Sequence, residues 1–411
     1  MTDTPGLSPA AEKRASTLIY TAAFTYAISL GAMQVLVPLY GLHLGYDIKA
    51  LGFILSAQAV LPILTRFFAG AIADTFGDRW ILWFSFTSMV AGALLFASSG
   101  VIFALIAAQT LQGLSRSTYW TVTQSYVSRI NPDRVATRLG RLSSSGNAGT
   151  VIGTALAGVL AEGFGYGFAF SAVATASLVG FVGSIGLPLL PRKSVKRGFK
   201  AALAPIPAVA KTKAMGMAGF SSFIGSSSVM LGIILVIPFM EESSIGESEI
   251  GLARTLSSIG SLTAGLLFGR LIMRLGLRNL HSLAFALQGL TFLAMPLLAS
   301  TFWSGLPVMY AYGLFGGVMG SLYPMSASTF SRPEHRGTAM GYAGQFWGVA
   351  QLVVPITFGF VATSVGLENS LYLSGFLFIG LAVLAPVVYR VFTRGWMLRI
   401  AAEAETSSHL S

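Results

Sequence analysis

The chain has 411 residues, of which 54% are hydrophobic and only 10% charged, and its mean hydropathy is +0.72. Soluble globular domains carry about 25% charged residues, so this chain lacks the polar surface to live in water. The net charge of +11 does not point to nucleic acid, because nearly all Lys and Arg fall in short gaps between apolar runs, where topology-setting charge belongs. With no cysteine, disulfides, thiolate catalysis and cysteine metal sites are excluded.

In chain order, apolar segments long enough to cross a bilayer (about 20 residues) are predicted at 17–41, 51–73, 79–98, 101–128, 138–161, 166–189, 214–239, 249–272, 279–299, 303–329, 338–362 and 369–393. The first run is of full spanning length and reads as an uncleaved helix rather than a signal peptide. Alternate gaps carry Arg79, Arg129, Arg134, Arg138, Arg141, the basic run 192–213, Arg270, Arg274, Arg278, Arg332 and Arg336, whereas the other gaps carry essentially Lys49. The positive-inside rule then places both termini in the cytoplasm. The fold class expected is all-α, with twelve transmembrane helices in two pseudo-symmetric six-helix bundles. Its organisation is an N-terminal bundle over 1–190, a basic cytoplasmic linker over 191–213 with room for a short surface helix, a C-terminal bundle over 214–395 and a cytoplasmic tail over 396–411.

The halves repeat. With residues 250–278 laid under 51–79, Gly52 falls on Gly251, Gly70 on Gly269, Gly77 on Gly276 and Arg79 on Arg278, and further on Gly158 falls on Gly359. Duplicated helical units are a transporter plan, with the solute path between the repeats.

The run GAIADTFGDRW, Gly70 to Trp80, resembles the loop signature between helices 2 and 3 of the major facilitator superfamily; Gly70, Asp74, Gly77 and Arg79 match. The resemblance implies a twelve-helix transporter of the drug or metabolite efflux type, in which this loop acts as a conformational gate and the Asp meets local Arg residues and the N-terminus of the eleventh helix. A carboxylate there is stabilised by roughly 0.3–1 kcal/mol. The second copy keeps Gly269, Gly276 and Arg278 but has Met273 in place of the Asp. The fifth segment, with Gly149, Gly153 and Gly158, is similar to the family's antiporter signature, except that Thr154 and Ala157 replace a Pro and a Gly. These small residues make a smooth packing face; tight packing without antiport is an equal reading.

In the fourth segment, Gln109, Gln112, Arg116, Tyr119 and Thr123 recur at helical spacing. The family's R-x-x-Q-G has Gln109 at its Arg position here, while Gln112 and Gly113 are kept. Arg116 stands roughly 20 Å from either helix end, and a charge at that depth costs at least about 2.5–3.5 kcal/mol. It is a solute-binding candidate, with a structural Arg as the alternative. Further substrate-binding candidates are Tyr26 and Gln34 in the first segment, Ser226 in the seventh, and Gln345 and Trp347 in the eleventh, with Ser29, Ser222 and Gln351 as lesser ones. Each also reads as helix-to-helix glue. Arg66 and Arg254 read as structural cations near helix ends, the second close to Glu247 and Glu249. No acidic residue falls at mid-membrane depth, and His43, His281, His335 and His409 are near segment ends or beyond.

The function expected is secondary active transport of a small organic solute by alternating access, as an exporter; the alternatives are an organic-anion porter or exchanger using Arg116, and a receptor or enzyme on the same scaffold. There is no G-x4-G-K-[ST] loop for ATP and no catalytic constellation, so no enzyme, cofactor or metal is expected. Expected partners are the solute, membrane lipid and a coupling proton or counter-anion, on a monomer in a bacterial inner membrane.

Overall fold

The computed structural model describes residues 8–76, 78–130, 135–188, 206–332 and 336–408, with the backbone alone at 9, 66–76, 136, 337 and 397–408. The side chain of Asp74, all of Gly77, the side chain of Arg66 and most of the basic linker therefore lie outside the described residues.

The chain is helical throughout its long elements. In order these are α1 (Pro9–His43), α2 (Ile48–Phe76), α3 (Asp78–Ser98), α4 (Ile102–Ile130), α5 (Val135–Phe164), α6 (Tyr166–Ile185), the short α7 (Ile206–Lys211), α8 (Met215–Glu242), α9 and α10 within Glu247–Leu298, α11 (Phe302–Thr329), α12 (Arg336–Val365) and α13 (Leu367–Ser408). The stretch Glu247–Leu298 is two helices because Gly276 leaves the helical basin, at φ 71 and ψ 162. Only glycine takes that conformation without strain. One residue thus turns the chain between α9 (247–275) and α10 (277–298). Two boundaries differ from the sequence reading. Ser8 caps α1, its hydroxyl accepting from the Ala11 N–H at 3.3 Å, so that helix starts well before residue 17. At the other end α13 continues through the expected tail to Ser408.

Eight of the described helical stretches are long and apolar enough to cross a membrane, the joined α9–α10 counting as one. The remaining long helices, α4, α5 and α11, are diluted by Gly, Ser, Thr, Gln and Tyr. Outward faces are apolar, with Phe103 78% and Val383 72% exposed, as a lipid solvent requires.

The helices form two six-helix bundles, α1–α6 and α8–α13, which cross twice: α2 lies on α12 and α5 on α9. Both crossings use the same device at equivalent positions. A Cβ added to Gly52 would lie 2.4 Å from the Pro355 carbonyl oxygen, and one on Gly359 2.9 Å from that of Ile48. In the other crossing, a Cβ on Gly251 would lie 3.1 Å from the Thr154 carbonyl oxygen, and one on Gly158 1.9 Å from that of Glu247. Backbone rests on backbone at each point, which only glycine permits. Within the bundles the repeat persists: Gly113 of α4 meets the Gln58 carbonyl of α2, and Gly313 of α11 meets the Ser257 carbonyl of α9, at would-be distances of 1.9 and 1.8 Å. At Gly52 and Gly251 the pairing read from sequence is therefore a pairing of contacts as well as of letters.

Both crossings lie toward the face that carries the α1–α2 turn. There α9 begins at Gly246, which has no side chain to cap it. Its Ser248 N–H is capped instead by Glu162 of α5, at 2.7 Å. Glu247 accepts from the Tyr166 hydroxyl at 2.5 Å, and Lys49 lies 4.5 Å over the ring of Phe360. By contrast α2 is capped by its own Asp47, which accepts from the Ala50 N–H at 2.7 Å.

Candidate functional site

Between the bundles, α2 and α4 of the first face α8 of the second. Arg116 is half-buried and its Nη1 donates to Gln58 Oε1 at 3.4 Å. The same Gln58 amide donates to its own helix at Leu55 O, 3.0 Å away, and stands 3.9 Å from the sulfur of Met230 on α8. Gly113 makes this possible, since the missing side chain lets α4 close onto α2 one turn from Arg116. The guanidinium is thus placed at the junction of the halves, with the Gln58 amide beside it.

The α4 stripe does not act as one face. Tyr119 is fully buried and stacks on Tyr26 with ring centroids 3.7 Å apart, and Phe86 meets Tyr26 edge-on at 5.7 Å. The Tyr26 hydroxyl bonds Ser115 at 2.9 Å, and Ser115 donates to the Ser85 carbonyl at 2.6 Å. These residues bind α1, α3 and α4 together inside the first bundle. Gln112 is buried toward α3, where its Cγ would lie 3.1 Å from a Cβ on Gly92; Gln109 is likewise buried, and Thr123 bonds its own helix at Tyr119 O. Of the α4 candidates it is Arg116 that reaches the junction.

In the second bundle, Ser226 of α8 donates to the Trp347 carbonyl of α12 at 3.0 Å, and the Trp347 ring lies 5.6 Å from that of Tyr323 on α11. Gln345 and Gln34 are half-buried. Ser29 donates to Val173 O at 3.1 Å, joining α1 to α6. Ser222 and Gln351 are buried. The glycines of α5 divide their work: Gly149 and Gly153 rest on the Phe24 and Ile28 carbonyls of α1, and Gly158 on α9.

On the face that carries the termini, Gly70 lies within α2. Arg79 donates to the last-turn carbonyl of α6 at Ile185, 2.7 Å away, and covers the Trp83 ring. A cation there answers the unpaired carbonyls of a helix C-terminus. The neighbouring Asp78 forms an ion pair with Arg129, and Glu12 forms one with Arg138. The sequence reading assigned these arginines to topology alone; both also staple helix ends together. Met273, the counterpart of Asp74, is 80% exposed. Gly269 has open space beside it, and Arg278 is half-buried next to the start of α10.

Several functional candidates escaped the sequence reading. Gln58 was visible as the polar residue in an otherwise apolar LSAQAV run. His281, read as lying near a segment end, is fully buried between α8 and α10, with Nε2 2.6 Å from Ser221 Oγ and Nδ1 2.7 Å from Leu277 O. Arg254, read as neighbouring Glu247 and Glu249, is buried away from them. Glu247 is bonded to Tyr166, and Glu249 caps the Gly246 N–H at 3.2 Å.

Comparison with known proteins agrees with this architecture. The quinolone resistance protein NorA of Staphylococcus aureus is 23% identical over 184 residues, 44% of this chain and 47% of NorA, so the match spans about half the length of that relative. Among solved structures, the nucleoside transporter NupG superposes with a TM-score of 0.78 at 14% identity, covering 91% of this chain and 99% of NupG. A POT family transporter in complex with 5-aminolevulinic acid gives a TM-score of 0.66 at 15% identity, covering 91% and 96%; at such identities these likenesses speak for the fold. The Major Facilitator Superfamily profile matches twice, over residues 19–228 and 215–396, and with both halves so matched the chain belongs to the Major Facilitator Superfamily.

Proposed function

We propose that this chain is a secondary active transporter that exports a small organic solute by alternating access, with Arg116 at the solute path. The observation that carries this reading is the position of Arg116: on Gln58, at the junction of two equivalent bundles. The bundles meet through two glycine crossings of the same construction. Such contacts bury backbone without interlocking side chains, so they can part and re-form as rigid surfaces. Both crossings lie on one face, so we read this conformation as closed there. The Arg-rich face faces the cytoplasm in this reading, both termini included, in a bacterial plasma membrane. Export is favoured by the partial likeness to NorA and by the loop signature around Asp74.

A second version is an organic-anion porter or exchanger, in which the guanidinium of Arg116 contacts the negative charge of the solute. One experiment addresses both. The protein is reconstituted in liposomes after a thermal-shift screen has found a stabilising solute, and uptake by inside-out and right-side-out vesicles is compared for the wild type and Arg116→Gln. Loss of a charge-assisted contact of about 1.5–3 kcal/mol predicts at least a tenfold weaker solute affinity with the fold intact. Undiminished transport by Arg116→Gln would sink the assignment, and uptake only by right-side-out vesicles would reverse the direction.

A further inference from the structure

Inside the second bundle a different polar cluster has no place in the transport path described above. Its frame is a π-turn, Gly232–Val236, in α8. Pro238 follows two residues later and cannot donate to the helix, which favours such a widened turn. Tyr312 of α11 is wedged into it. Its hydroxyl donates to the Ser228 carbonyl at 2.8 Å, and a Cβ on Gly232 would come within 1.9 Å of the Tyr312 hydroxyl oxygen.

Arg254 of α9 lies over this tyrosine, its guanidinium carbon 5.7 Å from the ring centroid, and reaches the hydroxyl. Arg254 is 6% exposed, yet its Nε and Nη1 have no hydrogen-bond acceptor among the described residues. One turn further along α11 is Gly316. A Cβ there would meet nothing nearer than Ser228 Oγ at 3.8 Å and Gln288 Oε1 at 3.9 Å. Ser228 and Gln288 are fully buried, and the Ser228 hydroxyl and both polar atoms of the Gln288 amide also lack partners among the described residues.

Buried polar groups are nearly always bonded, and a buried cation demands a counter-charge. The acids nearest in sequence on α9 are engaged elsewhere: Glu247 with Tyr166 and Glu249 with Gly246. Among the described residues no carboxylate stands within ion-pair distance of Arg254. The tyrosine face offsets part of the desolvation but accepts no N–H in the guanidinium plane.

We propose that this cluster is a binding site for one monovalent anion, held by Arg254, with Gln288 and Ser228 as neutral donors beside Gly316. A single cation with no carboxylate suits one negative charge; a divalent anion would carry net charge into the bundle. The chemistry fits a free halide and equally a carboxylate group borne by a small molecule. The site is separate from Arg116, in the other half of the repeat: with Gly113 and Gly313 equivalent, Gly316 is the counterpart of Arg116 itself. Where one half places its cation on α4, the other leaves space on α11 and brings the cation from α9.

The test uses the full chain purified in detergent. Thermal unfolding is followed while chloride, bromide or acetate is titrated at constant ionic strength, and bromide is located by anomalous diffraction. A saturable upward shift is expected, with the half-saturating concentration raised about tenfold or more in Arg254→Gln and in Gln288→Leu but unchanged in Arg116→Gln. A bromide peak beside Arg254 assigns a free ion. A saturable acetate shift with neither halide shift nor bromide peak assigns a carboxylate. The absence of any saturable anion shift in the wild type, or an equal shift in both site variants, overturns the proposal. Because the wild-type arms need no variant, a misfolded Arg254→Gln leaves the proposal open to refutation. An intact shift in Arg116→Gln separates this result from the fate of the transport reading.

Discussion

At the residue scale, glycine decides how close the helices stand and where a charge can be placed. Gly113 lets α4 approach α2 so closely that a Cβ would lie 1.9 Å from the Gln58 carbonyl oxygen. Backbone is the obstacle, so no rotamer change relieves the clash, and overpacking of this kind costs typically about 1–3 kcal/mol. Gly113→Val is expected to lower thermal stability by that order and to displace Gln58, weakening solute binding in step. A variant that kept both its melting temperature and its affinity would show that α4 does not depend on this contact. The crossing glycines Gly52, Gly158, Gly251 and Gly359 were legible in the sequence as repeated letters, but their partners were not. A sequence records which residue is small, not which carbonyl needs the room. The same gap explains Gln58 and Tyr312. Each is an unremarkable polar residue in an apolar run until packing brings it to Arg116 or to the α8 π-turn.

Among elements, α5 and α9 carry the most informative contact. Gly149 and Gly153 hold α5 to its own bundle, while Gly158 meets α9 of the other. Enlarging Gly158 therefore attacks the crossing and spares the bundle. Gly158→Val should shift the protein toward the state open on the α1–α2 face. The chain has no cysteine, so one introduced as Gln34→Cys can be labelled by a membrane-impermeant maleimide from that face. Faster labelling in Gly158→Val is expected, and an unchanged rate counts against the crossing as a gate. Helix periodicity, the spacing of the spans and the two-fold repeat were all readable beforehand, because lipid imposes length and hydrophobicity on every span. The division of the α4 stripe was not. Helical spacing places Arg116 and Tyr119 sixty degrees apart at most, and only the neighbours decide that one meets Gln58 and the other Tyr26.

For the whole molecule, the two crossings share glycines but differ in charge. The α2 start is capped within its own helix by Asp47, whereas the α9 start depends on Glu162 from the other bundle. Hydrogen bonds from Ser248, from its side chain and its N–H, hold the Glu162 carboxyl below its ordinary range. The ionised form is thus the one that favours closure. Closure should weaken as pH falls through that lowered value, because an open protein regains the ordinary, higher affinity for the proton. Labelling of the cysteine in Gln34→Cys should accelerate on acidification in otherwise wild-type protein and lose its pH dependence in Glu162→Gln. An equal pH response in both would assign the titration elsewhere.

The single-residue turn at Gly276 has a mechanical meaning. The helix before it, α9, touches the other bundle near its start; the helix after it, α10, carries Gln288 and His281 into the second bundle. No loop separates them, so no slack absorbs a tilt. A swing of α9 when the crossing parts must pass through one pair of backbone angles and drive α10 as a crank drives its rod. The contact between the bundles and the buried polar interior of the second half are therefore geared together by one glycine.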